Sequence, residues 1–117
     1  MNITVIEAKP NAIQPEWMTD ELNKQIKDLT KLACDSYIVG GRNALILFTD
    51  AKIAEFATNP KMLAMLACAV NWYSWAKAET HEDAEGMAFA DAYYKVAAYA
   101  EYKLNDNDYM TYHTFVD

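Results

Sequence analysis

Asn59-Pro60-Lys61-Met62-Leu63-Ala64-Met65-Leu66-Ala67-Cys68-Ala69-Val70 is the stretch that decides the fold of this 117-residue chain. Asparagine followed by proline is typical of a helix start, because asparagine caps free backbone N–H groups and proline fits the first helical position. The residues after Lys61 are apolar around the whole circumference of a helix, and a helix of that kind is surrounded by other elements. The stretch therefore predicts a buried central helix over residues 60–79.

The chain before this helix contains a second strong helical pattern and one ambiguous segment. Apolar residues at steps of three and four predict an amphipathic helix from about residue 15 to residue 39, ended by Gly40-Gly41; they are Met18, Leu22, Ile26, Leu29 and Ala33. The apolar run 43–49 fits either a buried strand or a helix. Thr49-Asp50 resembles the cap of a short helix that would end near Asn59.

After the central helix, Thr80 and Asp83 resemble a capping box and predict a long helix over residues 82–104. Its predicted buried stripe consists of Met87, Ala90, Tyr94, Ala97 and Ala98. The polar cluster 105–108 is typical of a turn and predicts that this helix ends there. The tail 109–116 is rich in aromatic and β-branched residues, which favour a strand.

Together these patterns predict a mainly α fold, a compact four-helix-type domain built around the 60–79 helix. The length and the 53% hydrophobic composition suit a single domain over residues 1–117. An alternative stays open: residues 3–6, 44–48 and 109–116 could pair into a small sheet, which would make the domain α+β.

The chain is acidic, with a formal net charge of −7. Residues 80–117 contain eight acidic side chains and two lysines, so this C-terminal third has a net charge of −6. An acidic surface repels phosphate, which disfavours direct nucleic-acid binding and favours a basic protein partner.

The two cysteines, Cys34 and Cys68, lie within apolar helical patterns and are predicted to be buried free thiols, as in a reducing compartment. The N-terminus shows no basic segment followed by an apolar run, and no apolar stretch reaches about 18 residues. We therefore expect a cytoplasmic protein without a membrane segment.

The sequence offers no complete set of catalytic or metal-binding residues. His81 and Glu85 have the spacing of two metal ligands on one helical face, but the only other histidine is His113, and acids also collect in first turns because the helix dipole favours them. No nucleophile elbow or glycine-rich phosphate loop is present. We predict no enzymatic activity, no metal and no cofactor.

Tyrosine is concentrated near the C-terminus, where six of the eight tyrosines fall between residues 93 and 112. Successive helical residues are about 100° apart, so these rings cannot all face one core. Exposed tyrosines among acids favour protein binding. The predicted partner-binding residues are Asp91, Tyr99, Glu101, Tyr102, Asp106, Asp108, Tyr109 and Tyr112. The alternative is that the rings pack internally.

Two functional hypotheses follow. In the first, the chain is an acidic protein-binding module, such as a phage-type, anti-defence-like inhibitor of a nucleic-acid-handling complex, and it occupies a basic groove, in one variant by nucleic-acid mimicry. In the second, it is a small ligand- or metal-binding domain or an enzyme with a pocket between helices. A monomer and a homodimer are both compatible with the sequence. Charge reversal at Asp106 and Asp108 is predicted to weaken binding with little loss of helicity.

Overall fold

The computed structural model describes residues 19–77 and 84–116, with side chains described for 19–71 and 84–116. These residues form four helices: α1 (Asp20–Glu55), α2 (Pro60–Lys77), α3 (Ala84–Lys103) and α4 (Asp106–Val116). The described ranges contain no strand, so the predicted mainly α, four-helix fold is confirmed. The predicted strand at residues 3–6 and the capping box at residues 80–83 lie outside the described residues.

Helix α1 is bent back on itself at Gly41. A straight helix of its 36 residues would be about 54 Å long at 1.5 Å per residue. The described residues extend only 41 Å along their longest axis. Gly41 has φ 70° and ψ −154°, which interrupts the helical path and divides α1 into a first arm, residues 20–40, and a second arm, residues 42–55. The predicted helix stop at Gly40-Gly41 is thereby confirmed.

The two arms run in opposite directions along α2. In the first arm, Ile26 packs in a cluster with Met65, and the Thr30 hydroxyl lies 3.4 Å from the carbonyl oxygen of Ala69. The first arm is therefore parallel to α2. In the second arm, Leu45 packs in a cluster with Val70, whereas Ile53 packs with Leu63. The second arm is therefore antiparallel to α2, and α1 forms a helical hairpin.

Helix α2 is the centre of the fold, as predicted. Every side chain from Leu63 to Val70 is at most 1% exposed, because both arms of α1, α3 and α4 pack around it. The predicted helix cap at Asn59 is present: its side-chain oxygen accepts a hydrogen bond of 3.3 Å from the backbone N–H of Met62.

The second arm resolves the ambiguous run 43–49 as helix, so the strand alternative for residues 44–48 is wrong. Leu45, Thr49 and Ile53, four residues apart, are buried on one face, while Leu47 points away and is 70% exposed. Thr49 is not a helix cap: it lies within the arm, and its hydroxyl donates to the Leu45 carbonyl oxygen at 2.8 Å.

The tail forms helix α4, so the prediction of a strand over residues 109–116 is wrong. The polar residues before it start a helix: the Asp108 backbone N–H donates to the Asn105 side-chain oxygen at 2.9 Å, and the Asn105 amide donates to the Asp108 carboxylate at 3.0 Å. Burial of Tyr112 against α2 then outweighs the β propensity of the tail. The α+β alternative thus fails at both segments that the structure describes.

The predicted buried stripe of α3 is also wrong. Met87 and Tyr94 point outward, and the buried face consists of Gly86, Ala88, Phe89, Ala92, Val96 and Ala100. Alanines occur on both sides of this helix, so their spacing does not reveal which side faces the core. The large residues Phe89 and Val96 decide it, because they fill the space against α2 and the second arm.

Candidate interaction surfaces

The C-terminal tyrosines divide into exposed and packed rings. Tyr102 is 80% exposed, and Tyr94, which the sequence placed on the buried stripe, is 68% exposed. Tyr99 and Tyr109 are half-buried against the cluster that contains Ile53 and Leu63, and Tyr112 is only 2% exposed. The predicted binding residues are therefore not brought together on one surface, and Tyr112 cannot contact a partner in this conformation.

Part of the tyrosine concentration is explained by packing within α4. The rings of Tyr109 and Tyr112 stack with centroids 6.0 Å apart, and His113 meets the Tyr109 ring edge-on at 4.4 Å. Such contacts bury aromatic area, and the hydroxyl of Tyr112 is itself buried. The alternative that the tyrosine rings pack internally thus holds for Tyr109 and Tyr112.

The end of α3, the turn after it and the first turn of α4 form an acidic segment, residues 101–108, that we call the α3–α4 corner. Glu101, Tyr102 and Asp106 are exposed there. Asp106 and Asp108 occupy the first turn of α4, where the helix dipole favours a negative charge, and Asp108 also contributes to the Asn105 cap. Charge reversal at Asp106 and Asp108 is therefore expected to destabilise α4, contrary to the sequence-based expectation of little lost helicity.

Glu101 has no such structural explanation. It lies in the last turn of α3, where the helix dipole disfavours an acidic residue, and no hydrogen bond or ion pair among the described residues engages it. Its neighbour Tyr102 is also exposed, and the Lys103 ammonium lies 4.8 Å from the centre of the Tyr102 ring.

Asp91 lies on the exposed side of α3 too, about three turns before the corner. Its carboxylate accepts a 2.5 Å hydrogen bond from the Arg42 guanidinium, and one turn further along α3 Lys95 pairs with Asp50 at 2.6 Å. Both ion pairs join α3 to the second arm. We call the exposed side of these two helices the outer face; it comprises these four residues and Leu47, Met87 and Tyr94.

The sequence patterns did not predict the outer face. Leu47 lies within a continuous apolar run that suggested complete burial, and Met87 and Tyr94 were assigned to the core. The one available signal was the helical spacing of Leu45 and Thr49: if the run is helical, Leu47 must point to the other side.

The described residues contain no group of three or more side chains that could hold a metal ion. His81, the predicted partner of Glu85, lies outside the described residues. His113 packs against Tyr109 in α4.

Both cysteines are buried free thiols, as predicted. The Cys68 thiol donates to the carbonyl oxygen of Phe115 at 3.0 Å, in the last turn of α4, where carbonyl groups have no partner further along the helix. Burial raises the pKa of Cys68 from 9.0 to about 12. The thiol is therefore protonated at neutral pH and holds α4 to α2 instead of acting as a nucleophile.

This raised pKa predicts a specific loss of stability at alkaline pH. The folded state holds the Cys68 proton more tightly than the unfolded chain, so its contribution is complete below pH 9.0 and is lost as the pH approaches about 12. The full effect is on the order of 4 kcal/mol. In urea unfolding between pH 7 and pH 11, the wild type should lose free energy of unfolding relative to Cys68→Ala above pH 9, so that its advantage over the variant shrinks there. An advantage that stays constant with pH would contradict the assignment.

No protein-family model matches this chain, and neither a curated protein nor a solved structure shows a significant match to it. None of the helices in the described ranges combines the length and apolarity required to cross a bilayer.

Proposed function

We propose that this protein is a binding module, not an enzyme, and that it recognises a basic segment of a partner protein through the α3–α4 corner. The observation that carries the proposal is the pair Glu101 and Tyr102. Both side chains are exposed, and the charge of Glu101 opposes the dipole of its own helix. A residue that lowers the stability of its helix is more readily explained by an intermolecular role than by folding.

The corner has the chemistry that a cationic segment requires. Tyr102 offers a ring face for a cation–π contact, of the kind that Lys103 already makes within the chain. Glu101 and Asp106 offer carboxylates on either side of the α3–α4 turn. A lysine or arginine of the partner can therefore bind a carboxylate and stack on the ring, which favours arginine because its planar guanidinium does both.

The charge distribution supports recognition of a local basic segment more than nucleic-acid mimicry. The described residues contain eleven acidic and nine basic side chains, a net charge of −2 out of the −7 of the whole chain. Mimicry of a phosphate backbone needs a dense row of uncompensated carboxylates, and a net charge of −2 over the described residues does not favour one. The inhibitor and mimic hypotheses therefore stay predictions, and the basic protein segment is the partner that we propose.

The proposal predicts that Glu101→Lys combined with Tyr102→Ala strongly weakens binding of a basic protein. Tagged wild-type protein would be used to capture partners from nuclease-treated lysate at low and high salt, with mass spectrometry of the retained proteins. We expect a stoichiometric basic partner that binds more weakly at high salt, because screening reduces the attraction between exposed charges. In the double variant, the free energy of binding to this partner should be weaker by about 2 kcal/mol or more.

Asp35→Lys is the matched control, since Asp35 is an exposed acid on the first arm, away from the corner. It changes the net charge by the same amount as Glu101→Lys and should retain the partner. The double variant should also stay fully helical, because Glu101→Lys removes an unfavourable helix-dipole interaction. Equal loss of the partner in both variants would show a non-specific charge effect and would overturn the proposal.

A further inference from the structure

The outer face exposes large apolar side chains on two neighbouring helices. Leu47 of the second arm is 70% exposed, and Met87 and Tyr94 of α3 are 57% and 68% exposed. Exposed apolar residues that occur singly need no explanation, but a group on adjacent helices is typical of an interaction surface.

The apolar residues flank the two ion pairs of this face. On a helix with 100° per residue, Leu47 lies about 60° from Asp50, and Tyr94 lies about 60° from Asp91. The second arm and α3 run in the same direction: Leu45 packs with Phe89 in one cluster, and Ile53 packs with Val96 in the next. Leucine and tyrosine therefore lie on either side of a central row of paired charges.

The outer face is electrically neutral in a chain of net charge −7. Arg42 cancels Asp91, and Lys95 cancels Asp50, at contact distances of 2.5 and 2.6 Å. Two negatively charged molecules repel each other, so a second copy of this chain approaches with least repulsion through a neutral face. A basic partner gains nothing electrostatically from this face, which separates it from the α3–α4 corner.

The ion pairs have opposite orientations, and this makes the face complementary to itself. The first pair has its positive charge on the second arm and its negative charge on α3, whereas the second pair has the reverse. When two copies face each other across a two-fold axis parallel to the helices, Arg42 of one copy faces Asp91 of the other, and Asp50 faces Lys95. With the axis perpendicular to the helices, Arg42 faces Asp50 and Asp91 faces Lys95. Each two-fold arrangement thus places opposite charges across the interface.

We propose that the protein forms a two-fold symmetric homodimer through the outer face. Two helices of this length side by side cover about 20 Å by 20 Å, which is a small footprint for a stable interface. We therefore expect dissociation constants in the micromolar range.

The test is a concentration series by analytical ultracentrifugation, from about 1 µM to 1 mM, which spans the expected dissociation constant. The wild type should shift from monomer to dimer across this range. Leu47→Asp with Tyr94→Asp should raise the dissociation constant at least about tenfold, because two apolar contacts become like charges. Val39→Asp with Met110→Asp adds the same charge at exposed apolar residues elsewhere, and it should leave the dissociation constant close to the wild-type value.

A second experiment tests the charge pattern. A variant with both ion pairs inverted (Arg42→Glu, Asp91→Arg, Asp50→Lys and Lys95→Glu) keeps the pairing within each chain and should form its own dimer. Mixed with the wild type, it should form few heterodimers in native mass spectrometry, since like charges would then face each other. A statistical mixture, or a wild type that stays monomeric over the whole series, would overturn the proposal. Neither result bears on the corner, whose variants at Glu101 and Tyr102 leave the outer face intact.

Discussion

We expect Leu66→Asp to abolish the folded state at 25 °C. The Leu66 side chain is 0% exposed, at the centre of α2, and packs in the cluster that contains Ile53, Val96 and Tyr112. Removing the leucine costs about 2–5 kcal/mol, and burying a carboxylate without a partner adds several more. A small domain is stable by only about 5–15 kcal/mol, so the sum matches or exceeds the whole free energy of unfolding. Circular dichroism and urea denaturation measure the result.

Leu47→Asp is the matched control for this prediction. It introduces the same residue at a leucine that is 70% exposed on the second arm. At concentrations where the chain is monomeric, its free energy of unfolding should stay within about 1 kcal/mol of the wild-type value, as is usual for surface substitutions. A cooperative, wild-type-like transition for Leu66→Asp would show that α2 is not the centre of the fold.

The second large effect is expected at the bend of α1. Gly41 has φ 70° and ψ −154°, a backbone conformation that side chains of L-residues disfavour. A Cβ atom added there meets no atom within 4 Å, so Gly41→Ala changes the backbone energy without creating a steric clash. We expect a loss of about 1–3 kcal/mol in the free energy of unfolding, measured by urea denaturation.

Substitution with D-alanine separates this backbone effect from other causes. The conformation at Gly41 is the mirror image of an extended one that L-residues adopt readily, so a D-residue takes it up without strain. A semisynthetic protein with D-alanine at position 41 should be at least as stable as the wild type. Equal destabilisation by both alanines would contradict the explanation.

Gly40 is needed for a different reason than Gly41. A Cβ atom at position 40 would lie 2.6 Å from the Cβ of Ala44, where the second arm turns back over the first. The two neighbouring glycines thus supply a close approach and an unusual backbone conformation, respectively. The resulting hairpin places the second arm beside α3 and so creates the outer face.

Strong local signals in the sequence predicted the core of this fold correctly. Asn59 and Pro60 mark the start of α2, and the uniformly apolar residues after them allow no other position than the centre. The glycine pair at residues 40–41 predicted the end of the first arm, because helices end where the backbone leaves helical angles. These features depend on neighbours in the chain, which a sequence displays directly.

The candidate surfaces were predicted less well, for a physical reason. Which side of α3 faces the core depends on how Phe89 and Val96 fit against α2 and the second arm, and spacing alone does not show this in a helix with alanines on both sides. The helical state of residues 109–116 likewise depends on burial of Tyr112 against α2, which outweighs local β propensity.

The order of residues alone therefore established the helical class, the central helix and the bend, since capping, glycine conformations and continuous apolar runs act over a few neighbouring residues. Packing between distant segments decided which tyrosines are exposed and brought Arg42 to Asp91 and Asp50 to Lys95. Those contacts join residues more than forty positions apart, and their geometry arises only when both helices share the surface of α2.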